Sequence, residues 1–307
     1  MAYPKKILIR EDGPREGFQS LQKTIPVQEK LKLIDLLVKA GASSIEVTSF
    51  VRPDRVPQHV DAEQVATGLK ENSKVRYRAL YLNRKGLDRA VGCEKLSPEG
   101  YLMTAASESF LKRNNNISVT EARDASKIWL EAFKNHGLEL DRLMVSTAFG
   151  DSEEGKISPQ QTLDIVSDYI PHLDSPLPEV TFADTTGYAN PKAVEDLVTS
   201  FKKSWPKVEI GLHLHDTRGT GMANALAGLQ AGVSRFVASV GGLGGCPFVK
   251  QAAGNISTED LAFLCSELDI ETGLNLELYI EAAKYAEKIT GQKLPGKLKD
   301  GGLPAIG

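Results

Sequence analysis

The sequence predicts a single (β/α)8 barrel of the TIM type with additional C-terminal helices. An apolar, β-rich run followed by a helical pattern recurs eight times, and these units occupy about 240 residues, which is the size and rhythm of this barrel. A doubly wound open sheet is the alternative fold. It is disfavoured because no Gly-x-Gly-x-x-Gly motif follows an early strand.

The eight predicted strands are short runs rich in apolar and β-branched residues. They are Lys6–Glu11, Ser44–Ser49, Val75–Leu82, Tyr101–Ala106, Arg142–Phe149, Glu179–Thr185, Glu209–His215 and Arg235–Val240. Helical spacing of apolar residues is clearest from Val27 to Leu37. We expect one domain over residues 1–307, with the barrel at about 5–255, helices at 256–290 and a loosely ordered, glycine-rich and proline-rich tail at 291–307.

The composition excludes several classes of protein. With 41% hydrophobic and 25% charged residues and a net charge of −3, the chain is typical of a globular protein and unsuited to non-specific nucleic-acid binding. No apolar run approaches the roughly 18 residues that span a bilayer. The first predicted strand begins too early for a secretory signal, and three cysteines indicate free thiols. These features predict a cytoplasmic protein.

Two histidines mark the end of the seventh predicted strand. His213 and His215 are two residues apart, so their side chains point to the same side of a strand and can share one divalent ion. The glycine-rich turn at 218–222 follows, which places the pair at the carboxyl end of the strand, where barrels carry their chemistry. The pair alone does not exclude one histidine in the core and the other in solvent.

The first two strands also end in polar residues. Arg15, Glu16 and Gln19 follow the first strand, where a carboxylate can complete a metal site and an arginine can hold an oxyanion. Glu46 interrupts the second strand, which is otherwise largely apolar. A carboxylate inside a barrel needs a partner, and Arg15 is the nearest candidate.

Further polar residues follow the sixth and eighth strands. Asp184 ends the sixth, and Cys246 lies in a loop with four glycines among residues 241–245. Asn255 comes shortly afterwards and offers an amide oxygen as a metal ligand. A Ser-His-Asp hydrolase is disfavoured because no Gly-x-Ser-x-Gly motif is present. The remaining histidines, His59, His136 and His172, are interpreted as surface residues.

Three motifs together identify a family. Arg15-Glu16-Gly17-x-Gln19, His213-x-His215-Asp216-Thr217 and Gly242-Leu243-Gly244-Gly245-Cys246-Pro247 resemble the metal-dependent carbon–carbon lyases and synthases built on a TIM barrel. Within that group the chain is most similar to the hydroxymethylglutaryl-CoA lyase family, over nearly its whole length. The loop cysteine is the mark of the lyases rather than of the condensing synthases.

The resemblance implies a set of site residues. The implied metal ligands are Glu16, His213, His215 and Asn255, which would hold Mg²⁺ or Mn²⁺, with Zn²⁺ as a further option. The implied catalytic residues are Arg15, Glu46, Asp184, His213 and Cys246, and the implied substrate-binding residues are Arg15, Gln19, Ser49 and Thr185. The implied reaction is the cleavage of 3-hydroxy-3-methylglutaryl-CoA to acetoacetate and acetyl-CoA.

The chain departs from the family pattern at several positions. Glu16 stands where the lyases have Asp, Asp151-Ser152-Glu153 replaces Cys-Pro-Tyr, and Arg218 replaces a tyrosine. These departures leave the acyl group open, so citramalyl-CoA or a related thioester is an alternative substrate. Two further alternatives are a synthase that condenses a 2-oxoacid with acetyl-CoA, which Glu16 favours, and a non-catalytic metal-binding barrel.

The expected partners follow from the same resemblance and from the composition. An acyl-CoA substrate is expected, with neither a nucleic acid nor a membrane as partner, and the protein is expected to be a homo-oligomer, either a dimer or a tetramer. The basic residues Lys23, Arg52 and Arg113 are candidates for the phosphates of CoA, although each is more typical of a solvated surface charge.

Overall fold

The structure is a computed structural model that describes residues 3–244 and 254–304. The chain divides into two compact units. We call Met1–Pro4 with Glu99–Phe236 the central unit, and Lys5–Pro98 with Val237–Gly307 the terminal unit.

The described elements are ten strands and twelve helices. The strands are β1 (Leu8–Glu11), β2 (Ser44–Ser49), β3 (Arg76–Leu80), β4 (Gly100–Ala105), β5 (Leu140–Ser146), β6 (Gly150–Asp151), β7 (Gly155–Lys156), β8 (Glu179–Ala183), β9 (Glu209–His213) and β10 (Arg235–Ala238). The helices are α1 (Val27–Lys39), α2 (Ala62–Gly68), α3 (Arg84–Val91), α4 (Glu108–Asn115), α5 (Val119–Asp124), α6 (Ser126–Asn135), α7 (Pro159–Tyr169), α8 (Pro191–Ser204), α9 (Gly221–Gln230), α10 (Thr258–Glu267), α11 (Leu276–Thr290) and α12 (Leu298–Gly301). Among the described helices, none combines the length and the apolar character needed to cross a membrane.

All eight predicted strands are present, as β1–β5 and β8–β10, and a helix follows each of them along the chain. Their ends differ from the prediction by a few residues. β5 stops at Ser146, for example, because Thr147 has a φ of 51°, in the left-handed region, and cannot continue a strand. The short antiparallel hairpin of β6 and β7 was not predicted.

In the terminal unit, β1, β2 and β3 are parallel. Ile45 of β2 pairs with Glu11 of β1 on one side and with Tyr77 of β3 on the other. Helix α1 buries Leu33 and Leu37 completely, as the helical spacing of its apolar residues predicts. Because the three strands are parallel, their carboxyl ends lie at the same edge, and the loops that follow them carry Arg15, Glu16, Gln19 and the segment after Ser49.

In the central unit, β4, β5, β8 and β9 form a parallel sheet in that order. Phe182 of β8 packs edge-to-face against Phe201 of α8, with ring centroids 5.3 Å apart, and both side chains are fully buried. The carboxyl ends of β8 and β9 bear Asp184 and the two histidines. β10 begins in the central unit and ends in the terminal unit.

The chain after α11 is packed through α12, which differs from the expectation of a loose tail. Leu294 and Leu298 are buried, and the Gly296 N–H donates to the carbonyl of Gly241 at 2.9 Å. Lys299 is also buried, and its ammonium pairs with Glu287 at 2.7 Å and Asp300 at 3.1 Å. Glycine and proline content predicted mobility, but these tertiary contacts supply partners for the backbone.

Candidate active-site residues

Arg15 and Glu16 lie in a π-helical turn, Gly13–Gly17, that follows β1 directly. The carbonyl of Asp12 accepts hydrogen bonds from the N–H groups of Arg15 at 3.1 Å and Glu16 at 2.8 Å, which folds the chain back at the strand end. Gly17 is needed for close packing, since a Cβ there would lie 2.7 Å from the Cβ of Leu243. The turn thus fixes both side chains at the edge of the sheet.

Four charged residues meet at this turn, and we call Asp12, Arg15, Glu46 and Arg78 the arginine cluster. Asp12, Glu46 and Arg78 are buried, and Arg15 is half-buried. Nε of Arg15 donates to Oε2 of Glu46, and Nη2 of Arg15 lies 3.3 Å from Asp12. Nη2 of Arg78 donates to Oδ1 of Asp12 at 2.7 Å. Burial alone would lower the pKa of Arg15, but the charges of Glu46, Glu16 and Asp12 outweigh it and raise the pKa. Arg15 is therefore a permanent, fixed cation.

The predicted pairing of Glu46 with Arg15 is confirmed, whereas Asp12 and Arg78 were missed. A signal for Arg78 was available, because it is a charged residue inside the predicted third strand, as Glu46 is inside the second. Ser49 and Gln19 do not join the cluster by any hydrogen bond described. Oγ of Ser49 and Oε1 of Gln19 are buried without a hydrogen-bond partner among the described residues, which leaves both atoms able to bind a polar substrate group.

Two of the predicted metal ligands contact each other in the terminal unit. Nδ2 of Asn255 donates to Oε1 of Glu16 at 3.2 Å and to the carbonyl of Leu243 at 3.3 Å. Asn255 is 1% exposed, and Gly244, with a φ of 125°, approaches it so closely that a Cβ would lie 2.6 Å from Nδ2. The amide and the carboxylate are thus held side by side.

The other two predicted ligands lie together at the end of β9. The imidazole centroids of His213 and His215 are 5.2 Å apart, and the residues are 7% and 4% exposed. Nδ1 of His215 lies 3.2 Å from the carbonyl of Thr185. Because a carbonyl only accepts, Nδ1 carries the proton, and the lone pair of a neutral ring is then on Nε2, as a metal ligand requires. The donor types and this tautomer fit a divalent metal.

Asp184 completes what we call the histidine cluster, namely Asp184, His213 and His215. Oδ1 of Asp184 accepts the N–H groups of Tyr188 at 2.7 Å and Ala189 at 3.0 Å, whereas Oδ2 is buried without a hydrogen-bond partner among the described residues. Burial raises the pKa of Asp184, against the opposing effect of the Ala189 N–H. A fixed carboxylate with one uncommitted oxygen is suited to accepting a proton.

Thr185 and Arg218 are held in the loops that follow β8 and β9. The hydroxyl of Thr185 accepts the N–H of Thr147 at 2.9 Å. Nη1 of Arg218 donates to the carbonyls of Thr186 at 2.9 Å and Gly187 at 2.7 Å, and its guanidinium lies 4.8 Å from the ring centroid of Tyr188. Arg218 therefore ties the β9 loop to the β8 loop inside the central unit.

The three basic residues considered for the phosphates of CoA differ in their surroundings. Lys23 is exposed, and Arg52 is exposed and paired with Asp54 at 2.7 Å. Arg113 pairs with Asp151 at 2.8 Å and with Glu153, so the substituted segment at 151–153 forms a polar network. Asp151 is completely buried in this network. Cys246 lies outside the described residues.

The interpretation of His59 as a surface residue is wrong. His59 is 3% exposed, and its Nε2 lies 2.9 Å from the carbonyl of Arg15. It lies in the 3-10 turn Pro57–His59, whose short polar sequence resembles an exposed loop, and tertiary contacts, including the one with the Arg15 turn, bury it. His136 and His172 are partly exposed.

The comparisons with known proteins agree with these observations. The HMGL-like family model matches residues 6–285. A hydroxymethylglutaryl-CoA lyase of Bacillus subtilis (strain 168) is 36% identical over 297 residues, which are 97% of this chain and 97% of that relative. A crystal structure of the Bacillus subtilis HMG-CoA lyase has a TM-score of 0.89 at 35% identity and covers 97% of this chain and 98% of its own.

A second solved structure is an HMG-CoA lyase from Acenitobacter baumannii in complex with coenzyme A and 3-methylmalate. It has a TM-score of 0.89 at 33% identity, and the match covers 100% of this chain and 98% of that chain. These relatives confirm the predicted fold class, a (β/α)8 TIM barrel, and the predicted class of enzyme, a carbon–carbon lyase; they do not favour the synthase. The chain belongs to the HMGL-like family, as its resemblance to the hydroxymethylglutaryl-CoA lyases predicts.

Proposed function

We propose that this protein cleaves 3-hydroxy-3-methylglutaryl-CoA to acetoacetate and acetyl-CoA. The relatives described above are named for this activity. The observation that carries the proposal is the arginine cluster, in which the Arg15 side chain is 11% exposed, permanently charged and held by Glu46 and Asp12. A fixed guanidinium is the group needed to stabilise the oxyanion of a thioester enolate, because it costs no reorganisation when the charge develops.

Four residues are proposed to hold the metal: Glu16, Asn255, His213 and His215. Glu16, His213 and His215 supply one carboxylate and two imidazoles, a group able to hold a divalent ion. The amide oxygen of Asn255 and the acid of Glu16 favour Mg²⁺ or Mn²⁺, with Zn²⁺ as the alternative. When bound, the metal would supply Lewis acidity to the oxygens of the substrate.

The remaining roles follow from the protein's own groups. Asp184 accepts the proton of the substrate's tertiary hydroxyl on Oδ2, with His213 as the alternative base. As the hydroxyl-bearing carbon becomes a ketone, the carbon–carbon bond breaks and its electron pair passes to the acetyl-CoA enolate. Arg15 stabilises the enolate oxygen, and Cys246 donates the proton that the enolate carbon takes up.

Glu46 orients Arg15 through the hydrogen bond described above. Gln19, Ser49 and Thr185 are proposed to bind polar groups of the acyl-CoA. The buried, unpartnered oxygens of Gln19 and Ser49 support this role.

Several wider expectations remain part of the proposal. We propose one catalytic domain over residues 1–307, an acyl-CoA substrate, a homo-oligomeric assembly and a cytoplasmic location. The cysteines described in the structure, Cys93 and Cys265, are free thiols, as expected in a reducing compartment.

The direct test is to incubate the purified protein with Mg²⁺ or Mn²⁺ and hydroxymethylglutaryl-CoA, and separately with citramalyl-CoA, and to measure acetyl-CoA release. Cleavage of the first thioester is expected. Cleavage of citramalyl-CoA alone would overturn the proposed substrate. It would indicate that the polar Asp151–Arg113 network is suited to a different acyl group. Release of CoA from acetyl-CoA in the presence of 2-oxoacids, without either cleavage, would establish the synthase.

A further inference from the structure

The buried imidazole of His59 has no role in the reaction proposed above. Burial, the largest effect, together with the charges of Lys30 and Arg15, lowers the pKa of His59 to about 3. The ring is therefore neutral at any working pH and does not shuttle protons. Its contribution must come from where it lies and from what it bonds.

Among the described residues, the ring makes one hydrogen bond, and that bond is to the turn that carries Arg15. Nε2 lies 2.9 Å from the carbonyl of Arg15, and because a carbonyl only accepts, Nε2 carries the proton and donates. The carbonyl of Arg15 also accepts the N–H of Phe18 at the end of the π-helical turn. His59 therefore supplies a second donor to the backbone from which the Arg15 side chain projects.

The other ring nitrogen of His59 destabilises the folded protein. Nδ1 of His59 is buried without a hydrogen-bond partner among the described residues. Leaving a buried polar group unpaired destabilises the folded state. An apolar side chain of similar volume would avoid this cost, so stability alone does not favour a histidine at this position.

The segment that carries His59 is itself anchored on both sides. Nζ of Lys30, in α1, donates to the carbonyl of Gln58 at 2.6 Å and to the carboxylate of Asp61 at 2.7 Å. The side chain of Gln58 donates to the carbonyl of Leu21, further along the loop between β1 and α1. Residues 57–61 thus form a fixed segment that contacts the loop after β1 at two places, the carbonyls of Arg15 and Leu21.

We propose that His59 is a positioning residue for Arg15: its Nε2–H donates to the Arg15 carbonyl and sets the direction in which the guanidinium meets the enolate oxygen. The inference rests on the proposed function of Arg15. Displacing a catalytic group by about 1 Å can lower a rate on the order of 100-fold, so the loss of this bond is expected to act on kcat.

The test compares His59→Leu, which removes the donor, with His59→Gln, whose Nε2 is as many bonds from Cα as that of histidine. We expect His59→Leu to lower kcat roughly 10- to 100-fold with KM nearly unchanged, because the interaction that it weakens acts in the transition state. Its unfolding temperature should be unchanged or higher, since the unpaired Nδ1 is removed. His59→Gln should recover most of kcat. His172→Leu, in the 3-10 turn of the central unit, is the matched control and should change neither quantity.

Two results would overturn the proposal. One is a His59→Leu enzyme with wild-type kcat. The other is equal loss of kcat in the leucine and glutamine variants, which would assign the effect to the ring rather than to the donor. If His59→Leu does not fold, His59→Phe keeps a ring without a donor and is compared with His59→Gln in its place.

A double variant tests whether His59 acts through Arg15. Adding His59→Leu to Arg15→Gln should lower kcat less than twofold further; a full additional loss would contradict the proposal. If the wild-type protein cleaves no hydroxyacyl-CoA, the proposed function fails by itself. The inference is then decided by crystal structures, in which the Arg15 guanidinium should move by about 1 Å in His59→Leu and stay in place in His59→Gln.

Discussion

The arginine cluster and the histidine cluster bury carboxylates in two different ways. In the arginine cluster, Asp12 and Glu46 are paired with the guanidinium groups of Arg15 and Arg78. In the histidine cluster, Asp184 is held by two backbone N–H groups, and one of its oxygens has no hydrogen-bond partner among the described residues. The first arrangement fixes the position of a permanent cation, Arg15, whereas the second leaves a carboxylate able to take a proton.

This difference predicts how each cluster responds to mutation. Removing one member of a buried charge network leaves its partners unpaired, so effects should spread and be non-additive. A substitution that removes the charge of Asp184 but keeps an oxygen to accept the backbone N–H groups should affect catalysis alone.

The largest effect is expected for Arg15→Gln. The loss of the guanidinium proposed to stabilise the enolate oxygen should lower kcat roughly a thousandfold, at the upper end of what single oxyanion-stabilising donors contribute. The measurement is steady-state acetyl-CoA release from hydroxymethylglutaryl-CoA. Arg123→Gln, which removes a partly exposed arginine paired with Asp124, is the control and should retain full activity. An Arg15→Gln enzyme within tenfold of the wild type would remove the arginine cluster from the mechanism.

Arg78→Met should mainly lower stability. It leaves Asp12 with a weaker cationic partner in a buried site, and breaking such a pair typically costs about 3–5 kcal/mol. Urea denaturation followed by circular dichroism measures the change. The double variant Arg78→Met/Asp12→Asn should be less destabilised than the sum of the two single variants, and strict additivity would show that the two residues are not coupled.

Asp184→Asn should lower kcat on the order of 100-fold, the range typical of a general base. The asparagine Oδ1 can still accept from Tyr188 and Ala189, so the unfolding temperature should not change. Activity and thermal unfolding of the same preparation provide the measurement. Wild-type activity in this variant would shift the role of base to His213, and a large fall in the unfolding temperature would show that the charge is structural.

The smallest effect concerns a buried carboxylate that, like Asp184, is not paired with a cation in the described structure. Burial raises the pKa of Glu259 to about 8, despite a hydrogen bond from the Gly241 N–H. The folded state then keeps a proton that the unfolded state, with a pKa near 4.5, has lost. This stabilisation is complete below pH 4.5 and is lost as the pH rises through about 8.

Relative to Glu259→Gln, the free energy of unfolding of the wild type should therefore fall by about 2 kcal/mol between pH 6 and pH 8. Urea titrations of both proteins at the two pH values measure the difference, and effects of other titrating groups cancel. A constant difference would show that Glu259 has the same pKa in the folded and unfolded states.

Much of the site was predictable because it depends on local patterns. Side chains alternate between the two faces of a strand, which predicted that His213 and His215 lie together. A buried carboxylate needs a cation, which predicted that Glu46 pairs with Arg15. Arg78 and Asp12 were missed because a charged residue in a strand does not reveal which loop it meets. Cys246, the residue that distinguishes lyases from synthases in the sequence, lies outside the described residues and its role stays a prediction.

The sequence by itself determined the fold class, the eight strands, most of the helices and the family, because these depend on periodicity and on motifs contiguous in the chain. Only the tertiary structure decided which residues are buried by segments that are distant in the sequence. It buried His59 against the carbonyl of Arg15 and fixed the chain after α11 through Lys299 and Gly296. The physical reason is that burial and hydrogen-bond partners are set by contacts between distant segments, and a local pattern of polar or glycine-rich residues does not encode them.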